Sequence, residues 1–175
     1  MAEFRTVTPT ELKPILDVLV GLPERVPYEM VPEISAALGW DLQTRNVGRT
    51  NQPVSLTVFF AGDLDLPDGT SELVSLEFHV SDTLPNKDSS SRRIVASAFA
   101  GIMETVSACL GFAPTRELWA NPGKTWDLVD GKQVNLFQAA DTIVMEVWAK
   151  RRADIERHEI SHGVDPAHDL DDRPS

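Results

Sequence analysis

The chain has 175 residues and a mass of 19.3 kDa, enough for one compact domain with a real core. Its 16 Lys and Arg against 27 Asp and Glu give a net charge of −11 and a pI near 4.7. That balance disfavours nucleic acid and anionic lipid as partners, and a single cysteine, Cys109, excludes an internal disulfide and fits a reducing cytoplasm.

The opening Met1-Ala2-Glu3-Phe4-Arg5 lacks the basic-then-apolar pattern of a signal peptide. Thr8-Pro9-Thr10-Glu11 reads as a capping box with proline at the first helical position, predicting a helix to about Val20. Pro14 competes with that start, since a helix beginning at Thr10 would place it near the first turn. Pro23, Pro27 and Pro32 punctuate the next stretch, and a short helix is expected over 32–38 with Gly39 as its stop.

From Trp40 the hydrophobic period falls to two. Trp40, Leu42 and Thr44 share one face, Val54, Leu56, Val58 and Phe60 form a second run, and Val74, Leu76, Phe78 and Val80 form a third. Pro67-Asp68-Gly69 supplies a turn between the last two, so the three runs read as an antiparallel meander. A polar loop over 81–91 ends in serines that can cap the next helix.

The stretch from Ile94 to Ala113 is long enough to cross a bilayer and holds one charge, Glu104. Its strong side chains recur on one side only: Val95, Ala98, Phe99, Ile102, Met103, Val106, Cys109 and Leu110. It is read as a core-facing helix ending at Gly111, and no membrane span is expected. Strands are expected over 116–119, 125–129, 133–137 and 142–148, with Asp130-Gly131 as a hairpin turn. A charged helix over 149–162, stopped by Gly163, precedes an acidic, flexible tail over 163–175. No internal repeat is visible. The expected class is α+β: one domain over 1–162, with an antiparallel sheet packed against one long amphipathic helix.

Three motifs carry candidate chemistry. His158-Glu159-Ile160-Ser161-His162 matches HExxH, and His168 stands at the spacing of a third zinc ligand. However, Asp165 replaces the turn glycine, no methionine follows His168, and the carrying helix is charge-rich. A solvated helix is the reading taken, with a zinc hydrolase as the remote alternative. Gly123-Lys124-Thr125 resembles the end of a phosphate loop, yet Leu118 stands where the first glycine belongs and a strand follows. Cys109 lies on the buried stripe and His79 on a polar strand face beside Glu77. No catalytic, cofactor or metal residue is assigned.

Charge is more informative. Residues 61–77 carry Asp63, Asp65, Asp68, Glu72 and Glu77 with no basic residue, and 163–175 adds a net −3. Asp63, Asp65, Asp68 and Glu72 are the expected partner-binding residues, an acidic tip for a basic protein surface. They do not form a calcium loop, because Val74 occupies the position of the required glutamate.

A short helix ending in Leu38-Gly39-Trp40, alternating strands, a long helix from Ala98-Phe99 to Leu110-Gly111, and Trp-containing strands follow one another over 12–148. This arrangement resembles a family of small uncharacterised actinobacterial proteins. Some similar proteins are immunity factors paired with secreted toxins, such as the immunity factor for the tuberculosis necrotizing toxin, an NAD glycohydrolase. The resemblance implies a cytoplasmic, non-enzymatic antitoxin that occludes the active site of a cognate secreted toxin. A secretion chaperone is the alternative, since small acidic α+β proteins also serve that role.

Overall fold

The computed structural model describes residues 3–50, 57–63, 66–118 and 122–164. Helix α1 (Pro9–Val20) starts at the capping box: the Thr8 side chain accepts from the Glu11 N–H and Glu11 accepts from the Thr8 N–H. Two reciprocal caps outweigh the donor lost at Pro14, which stays inside α1 on its exposed side. After β1 (Val26–Pro27) and a single 3-10 turn (Tyr28–Met30), α2 (Val31–Ala37) closes the N-terminal section.

Two antiparallel meanders follow, separated by one long helix. The first is β2 (Asp41–Leu42), β3 (Val47–Arg49), β4 (Thr57–Asp63) and β5 (Glu72–His79). Then come α3 (Ser89–Leu110) and the second, β6 (Arg116–Glu117), β7 (Gly123–Asp127), β8 (Gln133–Gln138) and β9 (Ile143–Trp148). Helix α4 (Lys150–Ser161) is the last element of the described residues. The sheet order is β2-β3-β4-β5-β9-β8-β7-β6, with β1 paired to the start of β5, and every pairing is antiparallel. Each half thus ends in a four-stranded meander, preceded by α1, β1 and α2 in the first and by α3 in the second, and the halves join through the last strand of each. The expected α+β class is the observed one.

The alternation read from the sequence sorts the two sheet faces. Val58, Phe60, Leu76, Phe78, Trp126, Val134, Leu136, Met145 and Val147 point to the first face and enter the core. There they meet Leu12, Ile15, Leu16 and Leu19 of α1 and Val95, Phe99, Ile102 and Val106 of α3. Trp40 packs over Phe60 and Phe78, with centroids 6.4 and 5.7 Å away. The Trp126 indole N–H reaches Ser107 Oγ and the Phe112 carbonyl at 3.3 and 3.2 Å, fastening the end of α3 to the sheet.

Several boundaries differ from expectation for local reasons. The cap of α3 is Asp88, whose carboxylate accepts from the Ser91 N–H, so the serines occupy the first turn instead. The 40–44 run yields only two residues of strand, because the chain turns back at once: the Gln43 and Thr44 N–H groups both donate to the Val47 carbonyl. Val54, Leu56, Trp119 and the tail from Asp165 lie outside the described residues.

Candidate functional site

A wide opening on the surface lies where the β4–β5 hairpin meets the 3-10 turn. It is a groove of about 850 Å³, with Pro27, Tyr28, Pro32 and Leu42 on its apolar side and Arg25, Arg45, Asp68 and Glu72 among its polar ones. Its floor is set by one close approach. The Tyr28 ring lies against Gly62, where an added Cβ would sit 2.4 Å from a ring carbon. The Tyr28 hydroxyl donates toward the carbonyls of Arg45 and Phe60 at 3.3 Å each, and the Arg45 guanidinium lies over the ring, 5.4 Å from its centre. Burial pushes the Tyr28 phenol upward.

The rim is the turn predicted at Pro67-Asp68-Gly69. Gly69 adopts φ +81°, a left-handed conformation that favours glycine, and its N–H donates to the Leu66 carbonyl at 2.8 Å. Asp68 is held in place by the Thr70 hydroxyl and N–H, which lower its pKa and keep it ionised. Its carboxylate is exposed at the mouth of the groove.

The four predicted partner-binding residues therefore separate. Asp68 is at the rim as expected. Glu72 is buried and turned inward: it accepts from Arg25 and pairs with Arg151 at 3.6 Å, so its charge ties β5 to the β1 segment and to α4. Asp63 ends β4 opposite Glu72, and Asp65 lies outside the described residues. Composition alone could not show that Arg25, thirty-six positions before the charge run, neutralises one of its members. Arg25, Tyr28 and Arg45 were not singled out from the sequence; only the proline-bracketed Val26-Pro27-Tyr28 hints at an anchored aromatic.

Glu77, the fifth acid of the run, faces the other side of the sheet. A cross-strand row there runs Phe59, Glu77, Glu146, Asn135, Thr125, Arg116 from β4 to β6. Glu77 and Glu146 are direct partners, and burial raises the pKa of both; for Glu146 the Trp148 indole N–H, 2.7 Å away, works against the rise and the Glu77 charge adds to it. Beside them, Glu156 of α4 accepts from Arg116 at 2.7 Å and from Gln133 at 3.4 Å. Asn135 accepts from Thr125 and Gln133 while its own amide N–H₂ has no partner among the described residues.

The other motifs lie apart from this groove. His158 and His162 are exposed, their ring centroids 4.1 Å apart and tilted by 40°, and His162 Nδ1 lies 2.8 Å from the His158 carbonyl. His168 is outside the described residues, and among those described no cluster of three His, Cys, Asp or Glu could hold a metal. Gly123 stands in a strand, where a Cβ would lie 2.2 Å from the Leu136 carbonyl, so strand approach accounts for it. The half-buried Cys109 thiol is pushed up by burial, and burial lowers the His79 imidazole, which contacts Thr142.

Residues 11–149 match a family of unknown function, DUF6301. The chain belongs to that family. No curated protein and no solved structure matches it.

Proposed function

We propose that this member of DUF6301 is an immunity protein, an antitoxin that acts in the cytoplasm by binding a cognate toxin and covering its active site. The supporting observation is the groove: an apolar floor at Tyr28, Pro32 and Leu42, rimmed by the exposed, ionised Asp68 and by Glu29. An apolar centre with a charged rim is the anatomy of a protein interface. The overall charge of −11 adds electrostatic steering toward a basic surface. The cognate toxin is then basic around its active site, and an NAD glycohydrolase is the first class to try.

The test is co-expression with candidate toxin domains, an NAD glycohydrolase domain first, followed by calorimetry and a toxin activity assay. A one-to-one complex that abolishes activity is expected, with Asp68→Lys slowing association at least tenfold and salt weakening it. Separate elution at micromolar concentration, with the toxin fully active, overturns the proposal.

A further inference from the structure

Helix α3 buries only one side. Val95, Phe99, Ile102 and Val106 face the sheet, while the opposite face carries Arg93, Ser97, Ala100, Gly101, Glu104 and Ala108, all exposed. The face is bounded by opposite charges. Arg93 lies near its start and Glu104 eleven residues on, roughly 16 Å along the axis. Neither side chain has an ion pair or hydrogen bond among the described residues. Between them the surface is apolar, because the Ser97 hydroxyl donates back to the Arg93 carbonyl at 2.9 Å, and flanking Thr105 does the same to Gly101 at 3.1 Å. Beside the face, Ile94 stands 40 % exposed over a shallow hollow of about 550 Å³ that Phe4 and Ala98 also line.

We infer that this face binds a second copy of the chain, through an antiparallel pairing of the two α3 helices about a two-fold axis between Ser97 and Ala100. The charges select this occupant. In that one register Arg93 of each copy meets Glu104 of the other, so both unpaired charges are satisfied twice. The same register brings Ser97 against Ala100 of the copy, side chains small enough for a close helix approach of about 8 Å. Ile94 then falls beside Gly101 of the copy, around which an added Cβ would meet nothing within 4 Å. A parallel pairing in register would set Arg93 against Arg93 and Glu104 against Glu104. None of the groove-lining residues belongs to α3, so dimerisation leaves that groove open and the two surfaces can be tested separately.

The experiment is sedimentation equilibrium of the full chain across micromolar concentrations, with three variants. The wild type is expected at the mass of two chains, weakening as salt rises. Arg93→Glu, at an exposed position, should shift it to the mass of one chain with an unchanged circular dichroism spectrum. Arg93→Glu combined with Glu104→Arg restores the bridges with reversed signs and should return the dimer. Ala100→Gln, which holds the helices apart, should give the monomer. A monomeric wild type at high micromolar concentration overturns the inference, and so does a dimer indifferent to Arg93→Glu. Toxin binding by the Arg93→Glu monomer would support the antitoxin reading independently of either result.

Discussion

Replacing Arg116 by methionine removes the cation that holds a buried carboxylate. Glu156 is about 3 % exposed and accepts from Arg116 at 2.7 Å; its other contact is a long bond from the Gln133 amide. Methionine keeps much of the arginine stem's packing, so the change isolates the charge. Breaking a buried pair from one side costs about 3–5 kcal/mol; with Arg116 itself 27 % exposed, the lower end applies, about 3 kcal/mol. For a chain of this size that is a fall of roughly 6–12 °C in the thermal midpoint. Asp127 retains Arg157 at 3.2 Å and Thr115 at 2.7 Å, so the loss falls mainly on Glu156. Adding Glu156→Met should recover most of it, because an apolar pair of similar volume replaces a desolvated ion pair at little net cost. Urea unfolding of the wild type, both single variants and the double variant measures the coupling. A single-variant loss under about 1 kcal/mol, or a double variant as unstable as the two losses combined, refutes the account of α4 attachment.

Glu146→Gln should raise stability at neutral pH. A carboxyl whose folded pKa lies above its unfolded value makes the folded state the better proton binder, so its contribution declines as pH rises from the ordinary glutamate range through the raised value. The difference in midpoint between wild type and variant should therefore be small near pH 4 and widen toward pH 7; a constant difference rejects the reasoning. Gly62→Ala should cost about 1–3 kcal/mol by driving a Cβ into the Tyr28 ring. It should also shift the resonances of Tyr28, the chain's single tyrosine, and unchanged resonances would remove Gly62 from the groove floor. Zinc at micromolar concentration should leave the thermal midpoint unchanged, whereas a site filled at a hundred times its Kd would add about 2.7 kcal/mol. A zinc-dependent rise lost in His158→Ala with His162→Ala would reinstate the HEISH sequence as a metal site.

Elements governed by local physics were legible. The Thr8–Glu11 box, the one-sided spacing of α3, the period-two runs at β4 and β5, the strands expected at β8 and β9, and the Asp130-Gly131 turn all stand where their residues require. What escaped was set by neighbours distant in sequence. Strand β1 is two residues long, too short to carry a period, and exists because β5 offers it an edge; β2 and β6 lie inside the runs expected at 40–44 and 116–119, and their two-residue lengths are set by the strands they pair with. Gly123 invited a phosphate-loop reading because nothing local announces the Leu136 carbonyl 2.2 Å from its missing Cβ. Of the candidate site, Asp68 was legible through its turn, while the inward rotation of Glu72 depends on Arg25 and Arg151. A strand group on each side of α3 was legible, whereas the joining of the two meanders through β5 and β9 was not, since that pairing depends on strands far apart in sequence.

That architecture explains where the polar strain of the molecule collects. The halves meet at the β5–β9 pair, and Glu77 and Glu146 occupy matching positions: Leu76-Glu77-Phe78 on one strand, Met145-Glu146-Val147 on the other. A two-fold relation between strands brings equivalent residues face to face at its centre, so an acid tolerable on either strand alone becomes a like-charge pair when the halves join. On the first face the same relation sets apolar residues opposite each other and strengthens the core. On the second face it gathers Glu77, Glu146, Asn135 and Gln133 under α4, which buries only Ala153 and Glu156 of its own residues. Helix α1, of equal length, buries four apolar side chains. The first face is thus held by hydrophobic burial, whereas α4 is held through Arg116–Glu156, Arg157–Asp127 and Arg151–Glu72. Salt and pH act on ion pairs far more than on apolar contacts. Helix α4 is therefore the element whose local opening responds first to either, while the α1–α3 layer keeps the sheet intact.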